Sequence, residues 1–426
     1  YGIYDLAVST VTLFYPILTL NIVDAVMRFC MDKKSDKKHI ASIGFKYISI
    51  SILIFGIIMI MFYLTNIWSD IHGLEIYIFF YYVSYVYNQF LIQFAKGLEK
   101  VKEMGIAGVI STLVTIVANV LILLVFKCGL IGFFFANIMA QAASAIYLSV
   151  YTDVFKYITF NITDYELHKK MLAYSIPLIA TVVGWWINST ADKYIVTLMF
   201  GVSANGLLSV SYKIPQIINT LQGIFIQAWQ ISAIREYGGK DTSEFYGNTF
   251  QIINFLMCIA CSVLIFLTRP LAYILYSQNF YNAWKYVPFL LVSSVLNCAS
   301  GLLGPILSAK KNSKAMMWSA IIGAGGNIIM NVLLVYLIGI QGATIATVIC
   351  SYIIYVIRKR AVDKDIQIDN YYSIMLTWVF LIVQGVIESY VSNYWIESVI
   401  IIILIMINIK QAKQIFIKGK KFFNIS

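Results

Sequence analysis

Apolar runs long enough to cross a lipid bilayer recur along the whole chain, and they constrain its fold more than any other feature. Hydrophobic residues make up 60% of the 426 residues and charged residues only 12%, whereas a soluble domain has about 25% charged residues. Backbone groups in lipid must be hydrogen-bonded internally, and the alternation typical of a lipid-facing barrel is absent, so the runs predict helices. We therefore expect an all-α integral membrane protein.

Thirteen runs are predicted to span the bilayer, because a helix needs about 20 apolar residues to cross it. Several runs are longer, which allows a helix to tilt or to extend past the lipid. The predicted spans are 4–29, 42–65, 74–95, 104–126, 129–150, 171–200, 204–234, 247–268, 283–308, 315–338, 340–357, 371–387 and 394–409.

Basic residues are distributed unequally between alternate loops. Of the 31 lysines and arginines, 26 lie in one set of loops and in the C-terminal tail, three lie in the other set, and Lys193 and Lys213 lie inside spans. The positive-inside rule places the richer set and the C-terminus in the cytoplasm, for a multi-pass protein of the cytoplasmic membrane. The net charge of +11 is therefore an orientation signal and does not indicate nucleic-acid binding. Because thirteen spans then put Tyr1 outside, we expect a further helix before it and fourteen in the full protein.

Two hairpins of the sequence are similar to each other. "NVLILLVFKCGLIG" begins at Asn119 and "NVLLVYLIGIQG" at Asn331, an offset of 212 residues that falls to 210 after a two-residue gap; Lys102 and Lys314 hold equivalent places upstream. Two unrelated apolar hairpins are the alternative, but the shared residues favour a parallel repeat, as in transporters with two equivalent halves. The predicted division is an N-lobe over 1–151 without its first helix, a cytoplasmic linker over 152–170, a C-lobe over 171–360, and two extra helices with a basic tail over 361–426. Each lobe is expected to have six helices, and a pseudo-twofold axis is expected to relate the two lobes.

Polar side chains recur at helical spacing inside two spans. A stripe that starts at Lys213 follows one face of the seventh span for nearly its full length. A lysine in lipid costs on the order of 3 kcal/mol without water or a partner, which favours a cavity wall over a structural seam. The first span, the equivalent in the repeat, has its own stripe followed by Asp24 and Arg28 at i, i+4, an orientation that suits an ion pair. The stripe of the seventh span consists of Lys213, Gln216, Thr220, Gly223, Gln227 and Gln230.

Two other spans contain side chains that lipid alone does not explain. In the third span Tyr81 and Tyr85 lie two and three turns inside the bilayer, where their rings suit contacts with sugars; core packing is the alternative. In the sixth span Asp192 and Lys193 are adjacent and point about 100° apart, so each requires its own partner. Lys193 either extends to the outer surface or joins Lys213 and Arg28 in a cationic interior that suits an anionic group.

The chain resembles the polysaccharide flippases, the Wzx-type oligosaccharide-lipid exporters of the multidrug/oligosaccharidyl-lipid/polysaccharide transporter superfamily. The resemblance covers essentially the whole chain and is carried by "YGIYDLAVSTVTLFYPILTLNIVDAVMRF", "YSIPLIATVVGWWINSTADKYIVTLMFG", "NGLLSVSYKIPQIINTLQGIFIQAW" and "AKKNSKAM". Its most specific part is the series Pro177, Trp186, Asp192, Tyr194 and Gly201.

The resemblance implies a fourteen-helix, two-lobe fold with a central cavity and alternating access. The implied cargo is a polyprenyl-diphosphate-linked oligosaccharide, moved from the inner to the outer leaflet for cell-surface polysaccharide biosynthesis, and polysaccharide assembly enzymes are possible partners. The candidates to receive the diphosphate are Arg28, Lys193 and Lys213. The residues expected to line the cavity are Asp24, Tyr81, Tyr85, Trp186, Asn188, Asp192, Gln216, Thr220, Gln227 and Gln230.

Alternative functions are a multidrug exporter of the same superfamily, for which an acidic cavity would be more suitable, and a membrane polysaccharide polymerase. The outer loops are short and contain no catalytic constellation of Ser/His/Asp, Cys/His or paired carboxylates. We therefore expect a transporter and not an enzyme, without a metal site or cofactor. A coupling proton or sodium ion could bind at Asp5, Asp24 or Asp192, and the absence of a P-loop excludes ATP hydrolysis by this chain.

Overall fold

The computed structural model describes residues 2–32, 35–65, 72–127, 129–159, 164–368, 371–391 and 393–415. These ranges are helical and contain no strand, which confirms the predicted all-α membrane fold; the tail beyond 415 lies outside them. Short π-helical segments are Val120–Val125 and Ile387–Val391, and 3-10 segments are Val154–Lys156 and Gln278–Tyr286. The helices are α1 (Gly2–Leu18), α2 (Ile22–Cys30), α3 (Lys37–Thr65), α4 (Glu75–Gly97), α5 (Val101–Asn119), α6 (Gly129–Thr152), α7 (Tyr165–Ser211), α8 (Pro215–Arg235), α9 (Thr242–Phe266), α10 (Thr268–Leu275), α11 (Val287–Ala309), α12 (Ser313–Ile338), α13 (Ile340–Ala361), α14 (Tyr371–Val386) and α15 (Tyr394–Ile407).

In the described part of the chain, nine helical segments are long and apolar enough to cross a membrane, or eleven if two bent pairs each form one span. The predicted count of thirteen is therefore not confirmed. The difference lies in α4 and α8, which have 23 and 21 residues and are long enough but less apolar. Their tyrosines, asparagines and glutamines lower the mean hydropathy, and these are the helices for which polar or tyrosine stripes were predicted.

The predicted first span, 4–29, is not one straight helix. α1 and α2 form a pair bent by 62°, and Leu20 and Asn21 between them have left-handed backbone conformations. The Asn21 N–H donates to the Pro16 carbonyl (2.8 Å), and the Thr19 hydroxyl donates to the Tyr15 carbonyl (2.7 Å). A left-handed residue ends a helix and its hydrogen bonds satisfy the last carbonyl groups, so the chain crosses this region as a broken helix.

The predicted sixth and seventh spans also meet differently from the expectation. α7 extends to Ser211 and has one non-helical residue, Gly201, with φ 84° and ψ 175°. This φ is in the region that glycine adopts without steric cost. Three turn residues, 212–214, precede Pro215, the first residue of α8. Lys213 therefore lies in the turn before α8 and not on the helix that carries the rest of its predicted stripe.

The chain divides into two compact units, Tyr1–Val183 and Gly184–Ser426. In the first unit α4 packs against α2, α3 and α6. In the second unit α11 packs against α8, α9 and α13 in the same way, and it also contacts α14. Nearly every residue of α11 is buried, so this helix forms the centre of its unit. The finer division at 151, 171 and 360 stays a prediction.

The backbone turns recur at the offsets that the sequence indicated. Glu99 and Lys311, 212 residues apart, both have positive φ, 59° and 56°, and the residue after each donates to a carbonyl five residues earlier at 2.9 Å. Gly129 and Gly339, 210 residues apart, have φ of 55° and 67° and open α6 and α13. The same local geometry at matching positions supports the repeat, because unrelated hairpins have no reason to share it.

We expect Gly342→Ala to destabilise the hairpin of α12 and α13. A Cβ at Gly342 would overlap the Leu334 carbonyl, and such overpacking typically costs about 1–3 kcal/mol. The measurement is the midpoint of thermal denaturation of purified full-length protein in detergent. Gly325→Ala in α12 is the matched control, since a Cβ there meets nothing within 4 Å. An unchanged midpoint for Gly342→Ala would contradict the close packing of this turn.

Candidate functional site

The second unit contains a carboxylate that is entirely shielded from solvent. Asp192 lies on α7 and is 0% exposed. A neighbouring apolar cluster on α7, α12 and α13 includes Val196, Val335 and Ala343. An ionised carboxylate in such surroundings is stable only when hydrogen bonds or a cation compensate for the lost water.

Three side chains donate hydrogen bonds to this carboxylate. The Asn331 amide of α12 reaches Oδ1 at 2.8 Å, and the Tyr212 hydroxyl and the Thr347 hydroxyl of α13 reach Oδ2 at 2.7 and 2.8 Å. Thr347 also lies 2.9 Å from the Ala343 carbonyl, and its single hydrogen can serve only one acceptor at a time. The site therefore connects α7, the turn that follows it, α12 and α13.

Two buried amide atoms beside the carboxylate are left without a hydrogen-bond partner in the described chain: Asn331 Oδ1 and Asn327 Nδ2. The Asn331 amide nitrogen lies 3.0 Å from both the Oδ1 atom and the backbone carbonyl of Asn327. The site thus combines one carboxylate with amide, carbonyl and hydroxyl oxygens, the atoms that hard cations prefer. A single negative charge suits a proton or a monovalent cation. No group of three or more His, Cys, Asp or Glu side chains in the described ranges could hold a metal.

Lys193, next to Asp192 on α7, lies over an aromatic ring. Its ammonium group lies 5.7 Å from the centre of the Tyr212 ring, a cation–π distance. Tyr212 therefore contacts both predicted residues, Asp192 through its hydroxyl and Lys193 through its ring. The two neighbours thus share Tyr212, whereas Asn331 and Thr347 serve Asp192 alone. Earlier on α7, Trp186 and Asn188 are half-buried, and Asn188 Oδ1 has no hydrogen-bond partner among the described atoms.

The predicted stripe of α8 lies largely on the surface of the second unit. Gln216, Thr220 and Gln227 are exposed, Gln230 is half-buried, and Lys213 is exposed in the turn before the helix. The Thr220 hydroxyl donates back to the Gln216 carbonyl at 2.8 Å. The other side of α8 packs against α11, where Trp229 donates to the Leu302 carbonyl at 2.8 Å. α8 therefore presents its polar side chains away from its unit's core.

In the first unit, Asp24 lies just after the break between α1 and α2. It accepts hydrogen bonds from Asn21 to Oδ2 (2.8 Å) and from Gln93 of α4 to Oδ1 (3.0 Å). Arg28 is buried at 5% exposure, and its salt bridge goes to Asp32 at 2.7 Å. The predicted pairing of Asp24 with Arg28 is thus wrong, because the helix break supplies Asn21 to Asp24 and the chain after α2 supplies Asp32 to Arg28. The side chain of Asp5 lies outside the described part of the chain.

The two α4 tyrosines that were predicted to line the cavity contact other aromatic rings. Tyr81 is 4% exposed and packs edge-on against Phe134 of α6, with ring centres 6.5 Å apart. Tyr85 is half-buried and meets Tyr15 edge-to-face at 5.4 Å. These contacts favour the packing alternative for Tyr81.

The sequence reasoning missed most of the residues that complete these sites. Asn327, Tyr212 and Thr347 around Asp192, and Asn21 and Gln93 around Asp24, were not selected. One signal was present: Asn327 and Asn331 are four residues apart in an apolar run and hence on one helix face. Nothing in the sequence indicated that this face meets Asp192, because that contact depends on tertiary packing.

Comparison with known proteins gives a family and a fold. Residues 1–234 match the family described as polysaccharide biosynthesis protein. No curated protein matches the chain. Solved structures of similar fold include the Vibrio cholerae MATE transporter VcmN in the bent form (12% identity, TM-score 0.67, 85% of this chain and 89% of that chain) and the MATE transporter ClbM in complex with Rb⁺ (15%, 0.66, 87% and 86%). An outward-facing multidrug resistance MATE transporter of the MOP superfamily is also similar (11%, 0.63, 85% and 87%).

We expect Tyr212→Phe to lower the thermal midpoint of the protein by several degrees. The variant keeps the ring beneath Lys193 but removes a donor from a buried carboxylate, and hydrogen bonds to charged groups contribute about 1.5–3 kcal/mol. Thermal denaturation of the purified protein measures the change. Tyr336→Phe, at a position 77% exposed, is the control and should leave the midpoint unchanged. Equal midpoints for the two variants would contradict the assigned hydrogen bond.

Proposed function

The chain belongs to the polysaccharide biosynthesis protein family, and from this we propose that it is a flippase. In this proposal it moves a polyprenyl-diphosphate-linked oligosaccharide from the inner to the outer leaflet of the cytoplasmic membrane by alternating access. The observation that carries the proposal is the exposed polar face of α8 in an apolar chain with the fold of MATE membrane transporters.

The polar face of α8 suits a glycan better than it suits lipid. Its amide and hydroxyl groups both donate and accept hydrogen bonds, as sugar hydroxyls do. Intramembrane polar side chains generally face a bundle interior or a water-filled cavity. The sugars would pass along this face while the polyprenyl chain stays in the bilayer.

The diphosphate of the cargo requires positive charge, and the three proposed cations differ in how accessible they are. Lys213 is exposed, and Lys193 lies over the Tyr212 ring with part of its surface open. Arg28 is buried and ion-paired with Asp32. We therefore assign first contact with the diphosphate to Lys213, supported by Lys193, and consider Arg28 a weaker candidate in this conformation.

The Asp192 site is proposed to bind the coupling proton or sodium ion. Protonation would convert one carboxylate oxygen from an acceptor into a donor, so the donors around it would have to rearrange. Tyr212 is one of those donors, and the next residue is Lys213. Loss of the Tyr212 hydrogen bond would free the turn that carries Lys213, which connects ion binding to the cationic group that holds the cargo.

A multidrug exporter is the second candidate, favoured by the similar fold of a multidrug resistance MATE transporter. Organic cations are bound best by acidic or aromatic surfaces. The lysine beside the polar face of α8 argues against such a substrate. Polysaccharide assembly enzymes remain proposed partners of the flippase.

Cells that lack the protein, with a full-length copy restored or withheld, test the proposed cargo. We expect lipid-linked oligosaccharide to accumulate on the inner leaflet and surface polysaccharide to be lost, with both changes reversed by the copy. The two quantities are measured by mass spectrometry of extracted lipids and by surface labelling. Normal surface polysaccharide together with increased sensitivity to cationic drugs would contradict the flippase and support the multidrug exporter.

Replacement of the exposed cation tests the diphosphate contact. Lys213→Ala should reduce export at least tenfold while insertion and thermal stability stay unchanged, because the side chain is exposed. Lys213→Arg keeps the positive charge and should retain most of the export. Full export by Lys213→Ala would disprove the role of this lysine.

A further inference from the structure

A second buried cluster of ionisable side chains lies in the second unit, on helices that do not contribute to the Asp192 site. Arg269 is near the start of α10, Glu388 lies in the π-helical segment after α14, and Glu397 lies in the first turn of α15. Both glutamates are 0% exposed, whereas the Arg269 side chain is 27% exposed. The cluster therefore reaches solvent only through the arginine.

The arginine is held beside one of the two carboxyl groups. Its Nε atom lies 3.2 Å from Glu388 Oε1, and its guanidinium group is 4.1 Å from the centre of the Trp284 ring. Stacking of a planar guanidinium on tryptophan fixes its position. Arg269 is thus a fixed positive charge at the Glu388 end of the cluster.

Glu397 is not in salt-bridge contact with Arg269, although the positive charge of Arg269 still acts on it. Neither of its carboxyl oxygens accepts a hydrogen bond from a donor in the described chain. Glu388 and Glu397 act on each other electrostatically, so the two buried carboxyl groups are neighbours. The amide of Gln384, which also faces Glu397, exchanges two hydrogen bonds with Ser262 at 2.6 and 3.0 Å.

With both glutamates ionised, the cluster would contain two negative charges and one positive charge in a low-dielectric interior. A buried carboxylate without a counter-ion is strongly disfavoured, and two carboxyl groups in one site typically retain one proton between them. The other groups nearby do not supply the missing charge. Lys285 is exposed, and its ammonium lies 6.0 Å from the Trp284 ring.

We propose that Glu388 and Glu397 form a proton-binding site in which the two carboxyl groups share one proton beside Arg269. The Glu397 carboxyl O–H donates to the Glu388 carboxylate, whose remaining charge is balanced by the guanidinium group. A metal ion fits less well, because Arg269 would repel it and only two carboxyl groups are available as ligands. The basic residues that end α13 are cytoplasmic in the predicted orientation. The site lies at the opposite end of α14, which this orientation places on the outer side of the membrane.

The local backbone agrees with a ligand-binding role. Ile387–Val391 is π-helical, and single π-turns inside α-helices are frequent at functional sites. Ser389, in the same turn, donates to the Lys285 carbonyl at 3.2 Å. The proton site therefore connects α14 and α15 to the segment before α11.

Infrared spectroscopy of the full-length protein in lipid nanodiscs tests the shared proton, because protonated carboxyl groups absorb apart from carboxylates. At neutral pH we expect a protonated-carboxyl band. Glu388→Gln alone and Glu397→Gln alone should each remove this band, although each variant retains the other glutamate of the pair. Asp192→Asn, at the other buried carboxylate, is the control and should keep the band. In protein that also carries Asp192→Asn, a band that survives both glutamine variants, or that only one of them removes, would overturn the proposal.

The pH dependence of stability gives a second readout. The folded protein holds a proton that an unfolded chain releases at neutral pH, so the thermal midpoint should fall as the pH rises through the range in which the site deprotonates. Glu397→Gln supplies a permanent donor and should remove this fall. Any dependence of the thermal midpoint on Na⁺, K⁺, Mg²⁺ or Ca²⁺ should be the same with and without Glu397→Gln. A cation-dependent rise that Glu397→Gln abolishes and Asp192→Asn retains would show a metal site instead and refute the shared proton.

Discussion

The Asp192 carboxylate and its hydrogen-bond donors are the contact on which the second unit depends. The chain is so apolar that each buried charge requires compensation from neighbouring polar groups. The donors come from two helices and one turn, so the compensation fixes α7 against α12 and α13. The same carboxylate is the proposed site of the coupling ion, so the proposed function would use the hydrogen bonds that stabilise this unit.

The constraint that a bilayer places on the backbone made much of the fold predictable from the sequence. Because backbone groups in lipid must be satisfied locally, long apolar runs could only be helices, and the helices formed nearly where expected. Gly129 and Gly339 recur at the predicted offset and both adopt positive φ, which supports the predicted repeat. The polar stripe of α8 was readable because side chains on one helix face recur at a fixed spacing.

Features that depend on tertiary contacts could not be predicted. The break at Leu20 and Asn21 interrupts an apolar run that otherwise reads as one span, and it determines the partners of Asp24. Arg28 pairs with Asp32 for a related reason. Glu388 and Glu397 were not noticed, because they are nine residues apart on different helical segments and only packing brings them together. Helical spacing identified Asp24 and Arg28 but not their partners. It identified neither Glu388 nor Glu397.

The proposed function connects the Asp192 site to the polar face of α8 through Tyr212 and the adjacent Lys213. The most direct test is reconstitution of the full-length protein in liposomes that contain a polyprenyl-diphosphate-linked oligosaccharide and carry a proton or sodium gradient. The account predicts that the gradient accelerates movement of this lipid between leaflets, and that Asp192→Asn, compared at an equal amount of folded protein, removes the acceleration. Gradient-driven export of an organic cation, with no movement of the lipid-linked oligosaccharide, would contradict it.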